Sequence, residues 1–281
     1  MRYLSFILTA AFFSITTSSN AQLLRNLGKK LEQKAEEVVD RSINNIGNAK
    51  PESSSTSQSG DAGATSKSSS PFALIPQADN NFERGTEQVF FDDFAQEVNG
   101  NMASKWTSNG TGRVEEVAGF SGKWLKLFNA NTYKIKDLVR IPENFTIEFD
   151  LLTLSETKND FAVDFGFDYQ KGVGRHHYLA DQNPINIEAS YRFNWFGITS
   201  EEVDPRKKSE VKANMSTFVN DVMKVKIRVV GTNMQTYING YKILDTEMVD
   251  PTTRKYFYLA VDNDSPSSSV YLSNFRIDKL P

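Results

Sequence analysis

Apolar and polar residues alternate one by one in several stretches of this sequence, and that alternation constrains the fold more than any other feature. Successive side chains of a β-strand point to opposite faces, so such a stretch buries one face and exposes the other. In residues 144–152, NFTIEFDLL, every second residue from Phe145 to Leu151 is apolar, while Glu148 and Asp150 belong to the opposite set. The same pattern returns in residues 161–169, 186–195 and 223–230.

These strands and the turns between them predict one antiparallel fold. Residues 186–195 are interpreted as a single strand, with Phe193 and Trp195 in its inward set. The pair Asn239-Gly240 is typical of a type I′ turn and predicts a hairpin there. Many short strands with little helix after residue 81 predict an all-β, antiparallel jelly-roll sandwich.

The first 80 residues have a different character from the rest of the chain. Residues 1–21 combine Arg2, an apolar run and small residues ending at Ala21, which predicts a secretory signal peptide. Residues 22–47 carry apolar residues at steps of three and four, which predicts an amphipathic helix that contacts a coiled-coil partner or a membrane surface. Residues 48–80 are rich in Ser and predict a disordered linker. The sandwich is predicted to occupy residues 81–281.

Charge and cysteine content exclude several classes of function. The formal net charge is -3, which gives no electrostatic reason to expect nucleic-acid binding. The chain has no cysteine, so it has no disulfide, thiolate metal site or cysteine nucleophile. We expect an exported protein in the periplasm, on the outer membrane surface or outside the cell.

The order of motifs resembles a known group of domains. The segments are EQVFFDDF, KWLKL and IPENFTIEFDLL, followed by VKIRVVGTNMQTYINGYKILD and SVYLSNFRIDKL. Together they resemble laminin-G-like, concanavalin-like jelly-roll domains, above all the copy in outer-membrane-protein-A-like envelope proteins of Gram-negative bacteria. The resemblance covers residues 81–281 and implies a cell-envelope role. The peptidoglycan-binding domain that usually follows in those proteins has no counterpart here, so wall anchoring is not implied.

Paired carboxylates are the most suggestive chemical feature of the predicted sheet. Glu148 and Asp150 stand two apart on one strand, and Asp164 and Asp168 stand four apart on another. Sandwich glycosidases hydrolyse sugars with two facing carboxylates, so Glu148, Asp150 and Asp164 are candidate catalytic residues for a glycoside hydrolase. The alternative is a non-catalytic sheet face, on which the acids pair with cations of neighbouring strands. Lys224, Lys226, Arg228 and Arg192 are the predicted cations.

Metal ligands are sparse in this sequence. His176 and His177 are adjacent, so a strand would point them to opposite faces, which disfavours a shared metal. A catalytic triad would have to use one of them, and no nucleophile-elbow motif accompanies either. Asp262 and Asp264 flank a turn whose oxygen-rich side chains predict a weak calcium site, with Asp92-Asp93 as a second candidate. The alternative is that these residues only cap turns. We therefore expect no cofactor except calcium.

Aromatic side chains near strand ends suggest sugar binding, because rings stack on pyranose faces. Trp106 and Trp124 are interpreted as core residues. We predict a non-catalytic domain that binds a glycan or another envelope component, with a glycoside hydrolase and a purely structural module as alternatives. The predicted ligand-binding residues are Tyr178, Arg192, Trp195, Tyr241, Asp164 and Asp168.

Overall fold

The computed structural model describes residues 71–72, 82–137, 139–156, 161–173, 183–263 and 267–281, all within one compact unit spanning 66–281. Nearly every element of these residues is a strand, as the alternation predicts. In chain order the strands are β1 Glu87–Asp92, β2 Trp106–Ser108, β3 Gly112–Glu116, β4 Lys123–Leu127, β5 Thr132–Ile135, β6 Phe145–Leu154, β7 Phe161–Asp168, β8 Ile185–Ser190, β9 Trp195–Ser200, β10 Lys207–Lys212, β11 Asp221–Val230, β12 Asn233–Ile238, β13 Tyr241–Glu247, β14 Tyr256–Asn263 and β15 Ser269–Lys279.

The described strands form two antiparallel sheets. Sheet A has the order β13-β12-β11-β6-β15-β4-β3, and β1 also pairs with β15. Sheet B has the order β10-β9-β8-β7-β14-β5-β2. A single 3₁₀ turn, Met215–Phe218, is the helical element of the described residues. The prediction of an all-β antiparallel sandwich is confirmed.

Strand pairing follows the wrapped hairpin of a jelly roll. The last two strands, β14 and β15, lie in different sheets, and each is flanked by early strands of the chain. Thus β15 lies between β4 and β6 in sheet A, while β14 lies between β5 and β7 in sheet B. Successive strands such as β6 and β7 therefore cross from one sheet to the other, which is the connection of a double-sheet jelly roll.

Aromatic rings fill the space between the sheets. Phe149 of β6 is buried and contacts rings from sheet B and from its own sheet, with centroids 5.3 Å from Phe165, 5.6 Å from Phe257 and 5.8 Å from Phe275. Edge-to-face packing of this kind adds to the free energy gained by burying apolar area. Trp106 is 2% exposed and belongs to the same core, as predicted. Trp124 is also buried, but in a smaller cluster with Leu152 and Tyr271.

Phe72 departs from the predicted linker. Its side chain is 2% exposed and packs against Phe196, Phe218 and Tyr241 at centroid distances of 6.0, 6.1 and 5.3 Å. The backbone oxygen of Pro71 also accepts a hydrogen bond from Asn214 N at 3.3 Å. The folded unit therefore includes residues 71–72, which the composition of the neighbouring residues had assigned to the linker.

The prediction of one strand over residues 186–195 is wrong. The strand ends at Ser190, and residues 191–194 form a turn in which Asn194 adopts a positive φ of 58°. Asparagine tolerates this left-handed conformation better than most residues do. Because of the turn, the residues after Ser190 no longer follow the alternation of β8. Phe193 is 64% exposed, and Trp195 begins β9 with its side chain on the outward face. Tyr169, which the alternation of residues 161–169 places in the same inward set as Phe161, lies beyond β7 and is 45% exposed.

The predicted hairpin is confirmed. Asn239 and Gly240 join β12 to β13, and their φ angles are 48° and 84°. Positive φ at both central residues is the requirement of a type I′ turn, which matches the twist of the flanking strands.

The predictions for the first 70 residues concern residues that the structure does not describe. The signal peptide, the amphipathic helix and most of the linker therefore stay predictions. Within the described part of the chain, none of the helical structure is long and apolar enough to cross a membrane.

Candidate functional site

The outer face of sheet B collects carboxylates from three neighbouring strands. Asp164 of β7 lies directly opposite Glu188 of β8. Asp262 of β14 pairs with Ala162, two residues before Asp164 on the same strand. Residues two apart on a strand share a face, so the three acids form one group. We call Asp164, Glu188 and Asp262 the acidic cluster.

Burial and repulsion between neighbouring charges disfavour the ionisation of Asp164 and Glu188. Asp164 is 2% exposed, and its burial, together with the charges of Glu188 and Asp262, raises its pKa well above the usual range. Partial burial and the charge of Asp262 also raise the pKa of Glu188. Both causes act in the same direction, because each favours the neutral carboxylic acid. The sheet thus holds two neighbouring carboxyl groups that retain protons to higher pH than exposed acids do.

A chain of buried hydrogen bonds fixes the position of Asp164. Asn186 Nδ2 donates to Asp164 Oδ1 at 2.9 Å, and the Tyr258 hydroxyl donates to Asn186 Oδ1. These side chains come from adjacent strands and are buried, so their rotamers are constrained on both sides. The carboxyl group of Asp164 is therefore held in place by Asn186.

Trp195 lies on the same face because β9 begins immediately after the turn. It pairs with Ser190, and its ring lies over Gly197: a Cβ atom added to Gly197 would meet the ring at 3.0 Å. Gly197 in turn pairs with Glu188, so the indole is next to the acidic cluster. The exposed ring of Phe193 is 6.5 Å from the indole, and Lys208 Nζ is 5.9 Å from its centroid. We call Phe193 and Trp195 the aromatic platform.

Arg192 joins the platform to the acids. It belongs to the turn between β8 and β9, and its Nη2 is 3.8 Å from Asp262 Oδ2. Both side chains remain about one-third exposed. Three predicted ligand-binding residues, Asp164, Arg192 and Trp195, are thus brought to one face of sheet B.

Two other predicted ligand-binding residues have structural contacts. Asp168 is fully buried, and its Oδ2 accepts from Lys134 Nζ at 2.7 Å, while the same ammonium donates to Gln170 O at 2.7 Å. Tyr241 is partly buried and packs its ring against Phe72. Both residues therefore stabilise the fold at these contacts, away from the aromatic platform.

Glu148 and Asp150 lie on the outer face of sheet A, on the opposite side of the sandwich from Asp164. Arg84 donates two hydrogen bonds to Glu148, and Lys226 Nζ lies 3.2 Å from the same carboxylate. These cations hold the pKa of Glu148 below its usual range, although burial opposes them. Asp150 pairs with Lys224 at 3.3 Å. The predicted cross-strand partners Lys224 and Lys226 are confirmed, and these two acids cannot share a substrate with Asp164.

The predicted calcium residues are only partly described. Asp264, like Tyr178, His176 and His177, lies outside the described residues, so calcium binding stays a prediction. Among the residues that the structure does describe, no group of three or more histidine, cysteine or acidic side chains is arranged to hold a metal.

The side chains of the second calcium candidate, Asp92-Asp93, accept hydrogen bonds from the adjacent turn. Asp92 accepts hydrogen bonds from Phe94 N at 3.2 Å and from Trp106 Nε1 at 3.0 Å. Asp93 accepts a hydrogen bond from Ala95 N at 3.0 Å. These contacts are the turn-capping role that the sequence analysis gave as the alternative.

Glu188 is the residue that the sequence prediction of the site missed. Its outward position could be deduced from the alternation, since it precedes the turn and shares the polar set of β8. Its position opposite Asp164 depends on the pairing of β7 with β8 in one register, which no local pattern specifies.

Comparison with solved structures finds similar folds at low sequence identity. A legume lectin-like domain from Entamoeba histolytica is 12% identical, covering 63% of this chain and 91% of that domain, with a TM-score of 0.47. A carbohydrate binding module from Bacillus subtilis is 13% identical, covering 62% and 96%, with a TM-score of 0.42. A sialidase is 14% identical over 69% of this chain but only 19% of its own length, with a TM-score of 0.43.

No protein-family profile and no curated protein matches the chain.

Proposed function

We propose that this protein is an exported glycan-binding protein whose sandwich binds a saccharide on the outer face of sheet B without chemical conversion. The observation that carries the proposal is the aromatic platform beside the acidic cluster. The indole of Trp195 beside Gly197, next to the exposed ring of Phe193, offers a stacking surface for a pyranose ring. The partly exposed side chains of Glu188, Asp262 and Arg192 beside it offer acceptors and donors for hydroxyl groups.

The location of the protein is part of the same proposal. The signal-like residues 1–21 and the resemblance to envelope proteins support export to the cell envelope. The amphipathic pattern of residues 22–47 supports a contact with an envelope protein or a membrane surface. The proposal includes a calcium ion at Asp262 and Asp264, which the same binding assay tests by adding a chelator.

A glycan array probed with the full-length protein tests the proposal. We expect the wild type to bind a restricted set of saccharides and Trp195→Ala to bind them about 10-fold more weakly, a loss of about 1.4 kcal/mol. Tyr169→Ala is the matched control, since this ring is also exposed but lies beyond the end of β7. Equal binding by the wild type and Trp195→Ala would contradict the proposed site.

One observation supports a second candidate function, glycoside hydrolysis. Asp164 and Glu188 are directly opposed on adjacent strands, where Cβ atoms lie about 4.5 to 5.5 Å apart. Glycosidases act with two facing carboxyl groups, of which the general acid needs a raised pKa. Hydrolysis of the bound glycan by the wild type, abolished in both Asp164→Asn and Glu188→Gln, would establish this alternative.

A further inference from the structure

A charged depression lies on the outer face of sheet A, opposite the proposed glycan site. It has a volume of about 380 Å³ and is lined by Arg84, Phe91, Glu148, Asp150, Lys224, Lys226, Asn274 and Arg276, together with the backbone of β6 and β11. A space of this size is at the lower end of the range for small-molecule sites and accommodates one or two sugar rings. We call it the sheet A depression.

An irregularity in β15 borders the depression, since Asn274 and Arg276 line it. The register of β15 against β6 shifts between Ser273 and Arg276, and Asn274 adopts a positive φ of 52°. Bulges of this kind re-aim side chains and are frequent beside functional sites. Here the bulge inserts one extra residue of β15 between Ser273, which pairs with Asp150, and Arg276, which pairs with Glu148. Within the bulge, Asn274 Nδ2 donates a hydrogen bond to Asp150 Oδ2 at 2.8 Å.

The charges of the depression do not balance. Four cations line it, and they face the two carboxylates Glu148 and Asp150. Asp278 accepts a hydrogen bond from Arg276 at 2.6 Å, and the positive excess persists when this third acid is counted. Lys224 carries much of the excess, because its side chain is 63% exposed and its contacts with Asp150 are long, at 3.3 and 3.5 Å. An ammonium group has three donors, so it can bind a further oxygen.

An exposed ring stands at one side of the same surface. Phe91 of β1 is 37% exposed and pairs with Arg276 of β15. Arg276 pairs with Glu148 of β6, and Glu148 pairs with Lys226 of β11. These four residues form one row across the sheet, with a ring at one end and an ammonium group at the other. The row therefore presents a stacking surface and a positive charge to the same ligand.

We propose that the sheet A depression binds an acidic saccharide, a sugar ring that carries a carboxylate. The carboxylate contacts the ammonium groups of Lys224 and Lys226, and the apolar face of the ring packs on Phe91. Carboxylate–ammonium contacts are charge-assisted and supply the selectivity against neutral sugars. Since this site is on the other sheet from Trp195, the proposal is independent of the proposed glycan site on sheet B.

The test compares methyl β-glucuronide with methyl β-glucoside, which differ in one carboxylate, by calorimetric titration of the full-length protein. We expect the glucuronide to bind at least about 10-fold more tightly at low salt and to lose affinity as salt screens the exposed charges. Lys224→Met, which removes the charge and keeps an apolar side chain, should weaken glucuronide binding about 10-fold, and Phe91→Ser should weaken it as well.

Lys242→Met is the matched control, because Lys242 lies on β13, outside the depression, and pairs with Asp245. Its variant removes the same net charge and should bind the glucuronide as the wild type does. Equal affinity for the two glycosides, or an equal loss in both lysine variants, would overturn the proposal. Displacement of the glucuronide by an equal concentration of acetate would also overturn it, because the site would then bind any small anion. Loss of glucuronide binding in Trp195→Ala would place the ligand on sheet B instead.

Discussion

The acidic residues on the outer faces of the two sheets have opposite kinds of neighbours. On sheet A, each acid of β6 faces a cation of β11: Glu148 pairs with Lys226, and Asp150 pairs with Lys224. On sheet B, Asp164 of β7 faces another acid, Glu188. The pKa of Glu148 is lowered by its partners, whereas those of Asp164 and Glu188 are raised by burial and repulsion. Neighbouring strands, and not the alternating motif itself, therefore decide the electrostatic surroundings of the acids on a sheet face.

The largest expected difference between the two faces is the loss of stability when a lysine is replaced. Lys134 on sheet B is 1% exposed and bonded to the fully buried Asp168. Removing one partner of a buried pair leaves an uncompensated charge, so Lys134→Met should lower the free energy of unfolding by about 3 to 5 kcal/mol. Chemical denaturation measures this change. A loss below about 1 kcal/mol would show that the face of sheet B is hydrated like that of sheet A.

The second prediction concerns the pH dependence that the acidic cluster imposes. Because the pKa of Asp164 is higher in the folded state, its contribution to stability is complete below about pH 4, its unfolded pKa, and is lost as pH rises through the folded pKa. Asp164→Asn should remove this loss and be more stable than the wild type at pH 8, on the order of 1 kcal/mol. Unfolding curves from pH 4 to pH 8 measure it. A variant less stable than the wild type at pH 8 would contradict the raised pKa.

The third prediction gives the opposite sign on sheet A. The pKa of Glu148 is lowered in the folded state, so its stabilisation is present above about pH 4.3 and is lost as pH falls through the folded pKa. Glu148→Gln should cost about 1 kcal/mol at pH 7, a modest value because Arg84 is 52% exposed and screened by solvent. The cost should shrink towards pH 3. A cost that is the same at both pH values would indicate lost packing, not lost charge.

The smallest effect is expected at Lys224. Its side chain is 63% exposed, and its ion pair with Asp150 is long. Exposed pairs contribute little, so Lys224→Met should change the free energy of unfolding by about 0.5 kcal/mol or less. The same denaturation experiment applies, and a cost near that of Lys134→Met would remove the contrast between the two faces.

Local sequence patterns predicted the strands and the hairpin of this fold. The alternation around Phe149 identified the inward and outward sets of β6, and Asn239-Gly240 identified the turn. Both signals are local, since a strand period and a turn conformation depend on a few consecutive residues.

Two features of the fold escaped prediction, one because a local pattern continues through it and one because it depends on distant residues. The turn at residues 191–194 is hidden because Tyr191, Phe193 and Trp195 continue the alternation through it. Phe72 is buried by residues far along the chain, including Phe196 and Phe218, so the polar composition around it was misleading.

The candidate site was predicted in the same uneven way. Asp164, Arg192 and Trp195 were selected by residue type, and the structure brings them to one face. Glu188 was missed because its importance comes from the strand opposite it. Glu148 and Asp150 matched the acidic motif equally well, yet their neighbours on β11 neutralise them.

The pairing of β1 with β15 has a mechanical consequence. Glu87, at the start of β1, is paired with Lys279, at the end of β15, and Thr86 N donates to Lys279 O at 3.0 Å. The two strands are antiparallel, so a force that pulls these two points apart loads their hydrogen bonds one after another, beginning with the pair at Glu87. Such a force therefore separates β1 from β15 one hydrogen bond at a time, whereas a shear force along the two strands would have to break all their hydrogen bonds together.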